Sequence, residues 1–167
     1  MNNSHISPVN KLTYGIGSIA YGVKSNGFDY WFLIFYSQAM GVDAYLVGLA
    51  LMISLVIDSL SDPLIGYFSD NTRTRWGRRH PFMYAAAIPV SLSYFFIWNP
   101  PASLSGNELF GYILFLAILV RTLITIYEIP NSAMVAEMTE DYDERTSILS
   151  YRFFFGWSGG TLMGACT

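Results

Sequence analysis

Long apolar stretches separated by short polar breaks dominate the chain. A helix that crosses a bilayer needs about 20 mostly apolar residues. Stretches near that length run over residues 12–40, 45–68, 81–98, 109–138 and 146–166. The breaks carry turn punctuation, most plainly Asn99-Pro100-Pro101. Membrane strands would alternate apolar and polar positions over about ten residues, whereas Leu46 to Ile57 is almost continuously apolar. The pattern predicts an all-α integral membrane protein with about five transmembrane helices.

Composition agrees with that reading. Only 13% of the 167 residues are charged, roughly half the norm of about 25% for soluble domains. Nine basic residues against twelve acidic ones create no positive field, so nucleic acid is not an expected partner. One cysteine and two distant histidines give neither a disulfide framework nor a zinc site. The polar start, Met1 to Asn10, lacks the basic residues of a secretory signal. Lys11, Arg73, Arg75, Arg78, Arg79 and Arg145 all fall on one side of the five spans, while residues 41–44 and 99–108 hold no basic residue. The positive-inside rule therefore places the N-terminus in the cytoplasm and the chain in the cytoplasmic (inner) membrane, with the lipid bilayer as its surroundings. The fifth stretch has no polar exit before Thr167. Two readings follow: a fragment cut in or after that helix, or a natural five-span protein.

Seven charged residues lie well inside the spans: Lys24, Asp29, Asp58, Asp62, Arg121, Glu128 and Arg152. Each costs roughly 2.5 to 3.5 kcal/mol at mid-membrane, so such groups mark a polar cavity or ion pathway by default. Asp58 and Asp62 are one helical turn apart, with Cβ atoms about 5 to 6 Å from each other. Two carboxylates at that distance repel by roughly 3 kcal/mol at an effective dielectric of 20, which a proton or a hard monovalent cation such as Na+ relieves. Ser54 and Ser61 add hydroxyls towards the same face. The competing reading makes Asp62, followed by Pro63, a kink or interface residue.

Arg121, Thr125, Glu128 and Ser132 follow at spacings of four, three and four, one continuous helical stripe. Pro130 removes an amide and frees the carbonyl of Ile126 beside Glu128. The stripe can offer a guanidinium, a carboxylate and hydroxyls to a polar ligand. Equally, Arg121 can pair with Glu128 or with another helix. Arg152 reads as a bidentate donor to a ligand, or as a neutraliser of Glu128 or Asp58. Gly15, Gly17, Gly22, Gly156, Gly159, Gly160 and Gly164 suit close helix packing.

The run from Gly66 through Asp70, Arg73 and Arg75 to Arg79 resembles the cytoplasmic loop signature of the major facilitator superfamily. Asp58-Ser-Leu-Ser-Asp62-Pro63 narrows the resemblance to the glycoside–pentoside–hexuronide:cation symporters, the melibiose permease family. Tyr127-Glu-Ile-Pro130, the Glu137–Arg145 segment, Ser150-Tyr-Arg152 and Lys11-Leu-Thr-Tyr-Gly-Ile-Gly17 match that family in order and spacing. The resemblance implies the N-terminal bundle of a transporter (residues 1–167), with a C-terminal half absent from this chain. It implies cation-coupled symport of a sugar or glycoside-like solute, with Na+ or H+ as the coupling ion and no other cofactor. Asp58, Asp62 and Thr125 would then hold the cation, with Asp58 and Asp62 as metal ligands if it is sodium. Glu128 and Arg152 would meet the solute, with Arg121 and Lys24 added for an acidic one. Two positions depart from the melibiose permease: Gly22 replaces a sugar-binding aspartate, and Ser132 replaces a stacking tryptophan. Another glycoside, a pentoside or a uronate stays open. Asp70, Arg75, Arg78, Arg79, Glu137 and Arg145 would form a cytoplasmic gate of ion pairs, each worth only about 0 to 1 kcal/mol.

Three rival readings stand beside it. Asp62, Gly66 and Asp70 resemble part of a lipid phosphotransferase motif, yet Thr74 stands where its last aspartate would be. Intramembrane aspartyl proteolysis needs carboxylates on facing helices, whereas Asp58 and Asp62 share one; no enzyme is expected. A non-transporting five-span interaction or sensor module, and a transporter of a lipid, are the other two.

Overall fold

The computed structural model describes residues 7–72, 75, 79–139 and 141–165. Among the described residues every regular element is helical. The chain divides into two compact units, Met1–Ile34 with Ala133–Thr167, and Phe35–Ser132.

The second unit contains the most apolar helices. α4 (Ala44–Asn71) starts where Asp43 accepts a hydrogen bond from the Tyr45 amide at 2.9 Å, satisfying one of the unpaired donors of a first helical turn. Before it, Gly41 takes a φ of 70°, a left-handed conformation that glycine adopts without steric cost. α5 (His80–Trp98) carries Pro81 in its first turn, where no intrahelical donor is lost. α6 (Gly106–Met138) contains Pro130 in its interior.

Ile113, Ala117, Val120 and Ile124 form the buried stripe of α6, spaced four, three and four. Val47, Ala50 and Ser54 of α4 and Ala86, Ser93 and Ile97 of α5 are buried as well. Tyr36 donates its buried hydroxyl to the Ile97 carbonyl, and Tyr112 ties α6 to the Phe96 carbonyl at 2.7 Å. The outer faces are apolar: Met52, Leu55, Leu60, Leu64, Ile88, Leu92 and Phe95 are all exposed. Such a surface would aggregate in water and suits lipid. α4, α5 and residues Gly106–Val135 of α6 are long and apolar enough to cross a membrane.

The first unit packs α7 (Tyr142–Ala165) against the start of the chain. α1 (Pro8–Gly17) and α2 (Ile19–Asn26) are joined at Ser18, whose amide reaches Gly15 in a tightened turn. A π-helical turn (Gly27–Trp31) follows, then the short α3 (Phe32–Ile34), and a second π-helical turn (Phe35–Ala39) begins the second unit. The apolar run over 12–40 predicts one helix; the structure gives consecutive helical pieces whose joining residues, Ser18, Gly27 and Phe32, keep right-handed helical dihedrals. The amides of Phe32 and Met40 bond five residues back, to Gly27 and Phe35, a wider register than the α-helical one. None of these pieces alone reaches membrane-spanning length. α7 is 24 residues long, but Ser150, Arg152, Ser158, Gly159 and Gly160 interrupt its apolar character.

Glycines set the spacing of α2 and α7. A Cβ on Gly22 would run into the Gly156 carbonyl, and one on Gly159 would lie 2.6 Å from the Ile19 carbonyl oxygen. Backbones approach this closely only where side chains are missing.

Candidate functional site

The buried stripe of α4 leads directly to Asp58. At 100° per residue, positions 50, 54 and 58 lie about −60°, −20° and +20° from the Val47 direction, and position 62 lies about +60° from it, at the edge of the stripe opposite Ala50. Asp58 accordingly faces α6 and is 16% exposed, whereas Asp62 lies on the exposed side. On α6, Arg121 and Thr125 flank the buried positions Val120 and Ile124 and are themselves buried.

These three side chains meet. Thr125 Oγ1 donates to Asp58 Oδ1 at 2.8 Å. Arg121 Nη1 lies 3.3 Å from Asp58 Oδ2, and the guanidinium side chain is 9% exposed. Removing one member of a buried ion pair leaves an uncompensated charge, at a cost of about 3 to 5 kcal/mol. Arg121 thus has a partner on another helix.

Ser54 and Ser61 point their hydroxyls at backbone instead of the carboxylate. Ser54 donates to the Leu51 carbonyl at 2.8 Å and Ser61 to the Asp58 carbonyl at 3.0 Å. Pro63 has no amide for the Ser59 carbonyl one turn back, so that oxygen lacks its helical donor beside Asp62. Glu128, further along α6, is half-buried and accepts from Ser132 at 3.3 Å.

In the first unit the structure brings Lys24 and Arg152 to one aromatic ring. Lys24 Nζ lies 5.7 Å and Arg152 Cζ 6.0 Å from the centroid of Tyr21, within the reach of cation–π attraction. Tyr21, on the surface of α2, carries no weight in the sequence reading; its place three residues before Lys24 was the available signal.

Three of the expected gate residues, Asp70, Arg79 and Arg145, make contacts close to them in the chain. Arg79 Nη2 meets Asp70 Oδ1 at 3.0 Å between the end of α4 and the start of α5. Arg145 donates through Nε to the Thr139 carbonyl at 2.8 Å, shaping the turn into α7. Arg75 is exposed in a turn. Arg78 and the side chains of Glu137 and Asp29 lie outside the described residues. One ion pair escapes sequence reasoning. Lys11 Nζ meets Glu144 at 2.7 Å, both side chains 12% exposed, and donates to Ser147 at 3.1 Å. No spacing rule links positions so far apart in the chain.

Long apolar helices that enclose a carboxylate, a guanidinium and a hydroxyl define a multi-pass membrane protein with an ionisable cluster between its spans, the usual sign of a solute or ion pathway. The chain matches the family described as MFS/sugar transport protein over residues 13–167, and it belongs to that family. The family is one of transport proteins, not of enzymes. An uncharacterized symporter of Synechocystis is 36% identical over 91% of this chain and 29% of its own length. A putative glycoside/cation symporter of Escherichia coli is 31% identical over 89% of this chain and 32% of its own. A sodium-dependent lysophosphatidylcholine symporter of Gallus gallus is 27% identical over 90% of this chain and 28% of its own. The chain thus spans about a third of the length of these relatives.

Proposed function

We propose that this chain is the N-terminal part of a secondary active symporter of the cytoplasmic membrane that couples a cation, Na+ or H+, to uptake of a sugar or glycoside-like solute. The observation that carries the reading is the Asp58 carboxylate, enclosed by Thr125 and Arg121 inside a membrane-length helix, with Asp62 open one turn further on. In this reading the cation is taken up by Asp58 and Asp62 with help from the Thr125 hydroxyl. Neutralising the carboxylates stabilises one of two conformations of similar energy, and a small differential affinity shifts such an equilibrium. Lys24 and Arg152 serve the solute as donors, and Glu128 serves it as an acceptor. Alternating access then comes from rocking against a C-terminal half. Asp70, Arg75, Arg78, Arg79, Glu137 and Arg145 act as inner-end charges that favour the outward-facing state, with the N-terminus in the cytoplasm.

The name of the Escherichia coli relative, a glycoside/cation symporter, supports this solute class. The Gallus gallus relative, named for lysophosphatidylcholine, supports a second reading with a lipid as the solute. The test is uptake into vesicles bearing the complete reading frame that encodes this chain. Labelled neutral glycosides, pentosides, uronates and lysophosphatidylcholine are each offered with and without an inward Na+ gradient, and with and without a proton gradient. Gradient-dependent accumulation of a sugar supports the proposal. Accumulation of the lipid alone selects the second reading, and accumulation of no solute under either gradient contradicts both.

A further inference from the structure

Asp58 already has a cation at hand. The Arg121–Asp58 contact places a guanidinium, a cationic group, beside the carboxylate that the reading above gives to the coupling ion. The two oxygens are divided: Oδ1 takes the Thr125 hydroxyl and Oδ2 takes the guanidinium. At 3.3 Å the guanidinium contact is longer than the roughly 2.7 to 2.9 Å of a strong charge-assisted bond. Arginine also reaches its partner through a flexible stem, so the fork can swing away without movement of α6.

We propose that Arg121 is a tethered cation that competes with the coupling ion for Asp58. With the ion absent, the guanidinium neutralises the carboxylate and keeps the α4–α6 contact closed. An arriving ion gains the full attraction of Asp58 only when the guanidinium withdraws. The return of the guanidinium in turn helps expel the ion on the opposite side. The arginine therefore lowers the affinity for the ion and makes its release easier. This inference rests on the cation-coupled reading.

The test uses Na+ alone as the probe, through the rise in melting temperature of the purified full-length protein as NaCl replaces choline chloride at constant ionic strength. Arg121→Gln is expected to show a half-saturating Na+ concentration about tenfold lower than the unaltered protein, or lower still. The same result holds if the unaltered protein hardly responds and the variant does. Asp58→Asn removes the Na+-specific rise, alone and combined with Arg121→Gln. A decrease in half-saturation of less than roughly threefold, or an increase, while Asp58→Asn still abolishes the response, overturns the proposal and leaves the cation site standing. A response that survives Asp58→Asn, or is absent from every form, overturns a sodium site at Asp58 and the proposal together. Should Arg121→Gln fail to fold, Na+-induced infrared difference spectra of the unaltered protein with 15N-labelled arginine decide. An isotope-sensitive guanidinium band supports displacement, and its absence overturns it.

Discussion

At the scale of single residues, Asp58 owes its position to a stripe and its environment to two neighbours. The stripe is legible in the sequence, since Asp58 continues the spacing of Val47, Ala50 and Ser54. Thr125 is legible in the same way from α6. The partner of Arg121 is not, because helical spacing says what lies along one helix and nothing of what faces it. Ser54 and Ser61 illustrate the reverse error. Spacing directs them to the carboxylate face, but a serine inside a helix readily bonds the carbonyl three or four residues back, as both do here. Thr125→Val keeps the shape and removes a hydrogen bond to a charged group, worth about 1.5 to 3 kcal/mol. The half-saturating Na+ concentration in the melting assay should rise about tenfold or more; an unchanged value would separate Thr125 from the cation.

At the scale of elements, the seam between α2 and α7 depends on two glycines that differ in kind. A Cβ at Gly22 meets the Gly156 carbonyl, whereas one at Gly156 finds its nearest neighbour, the Ser18 carbonyl oxygen, at an ordinary 3.7 Å. Gly22→Ala should therefore lower the melting temperature by several degrees, since overpacking a tight contact costs about 1 to 3 kcal/mol. Gly156→Ala should leave the melting temperature nearly unchanged. The sequence marks both glycines as packing positions and does not rank them, because the ranking depends on which backbone atom stands opposite. The Lys11–Glu144 pair gives a second prediction. Lys11→Glu and Glu144→Lys should each destabilise the first unit, and the double exchange should recover about 0.5 kcal/mol or more of the loss in thermal melts. The helical pieces before residue 40 lie beyond sequence reasoning for another reason. A π-helical turn is a shift of one residue in backbone pairing, and apolar periodicity does not record it.

On the scale of the whole molecule, the helical membrane architecture is the most legible feature, because lipid requires every backbone polar group to be paired within the helix. Apolar runs long enough to do this announce α4, α5 and α6 without further information. The orientation proposed from the basic residues has its own test. In a background with Cys166→Ser, a membrane-impermeant maleimide added outside cells should label Ser103→Cys between α5 and α6 and spare Asn71→Cys at the end of α4. The opposite pattern would invert the topology.

The decisive question is whether the carboxylate of Asp58 links a cation gradient to the movement of a solute. The direct measurement compares the unaltered full-length protein with Asp58→Asn in vesicles under an imposed inward cation gradient, using the solute that the uptake panel identifies. Accumulation above the external concentration is expected for the unaltered protein, and for Asp58→Asn only downhill equilibration that ignores the gradient. Undiminished uphill accumulation in Asp58→Asn would exclude Asp58 from the coupling.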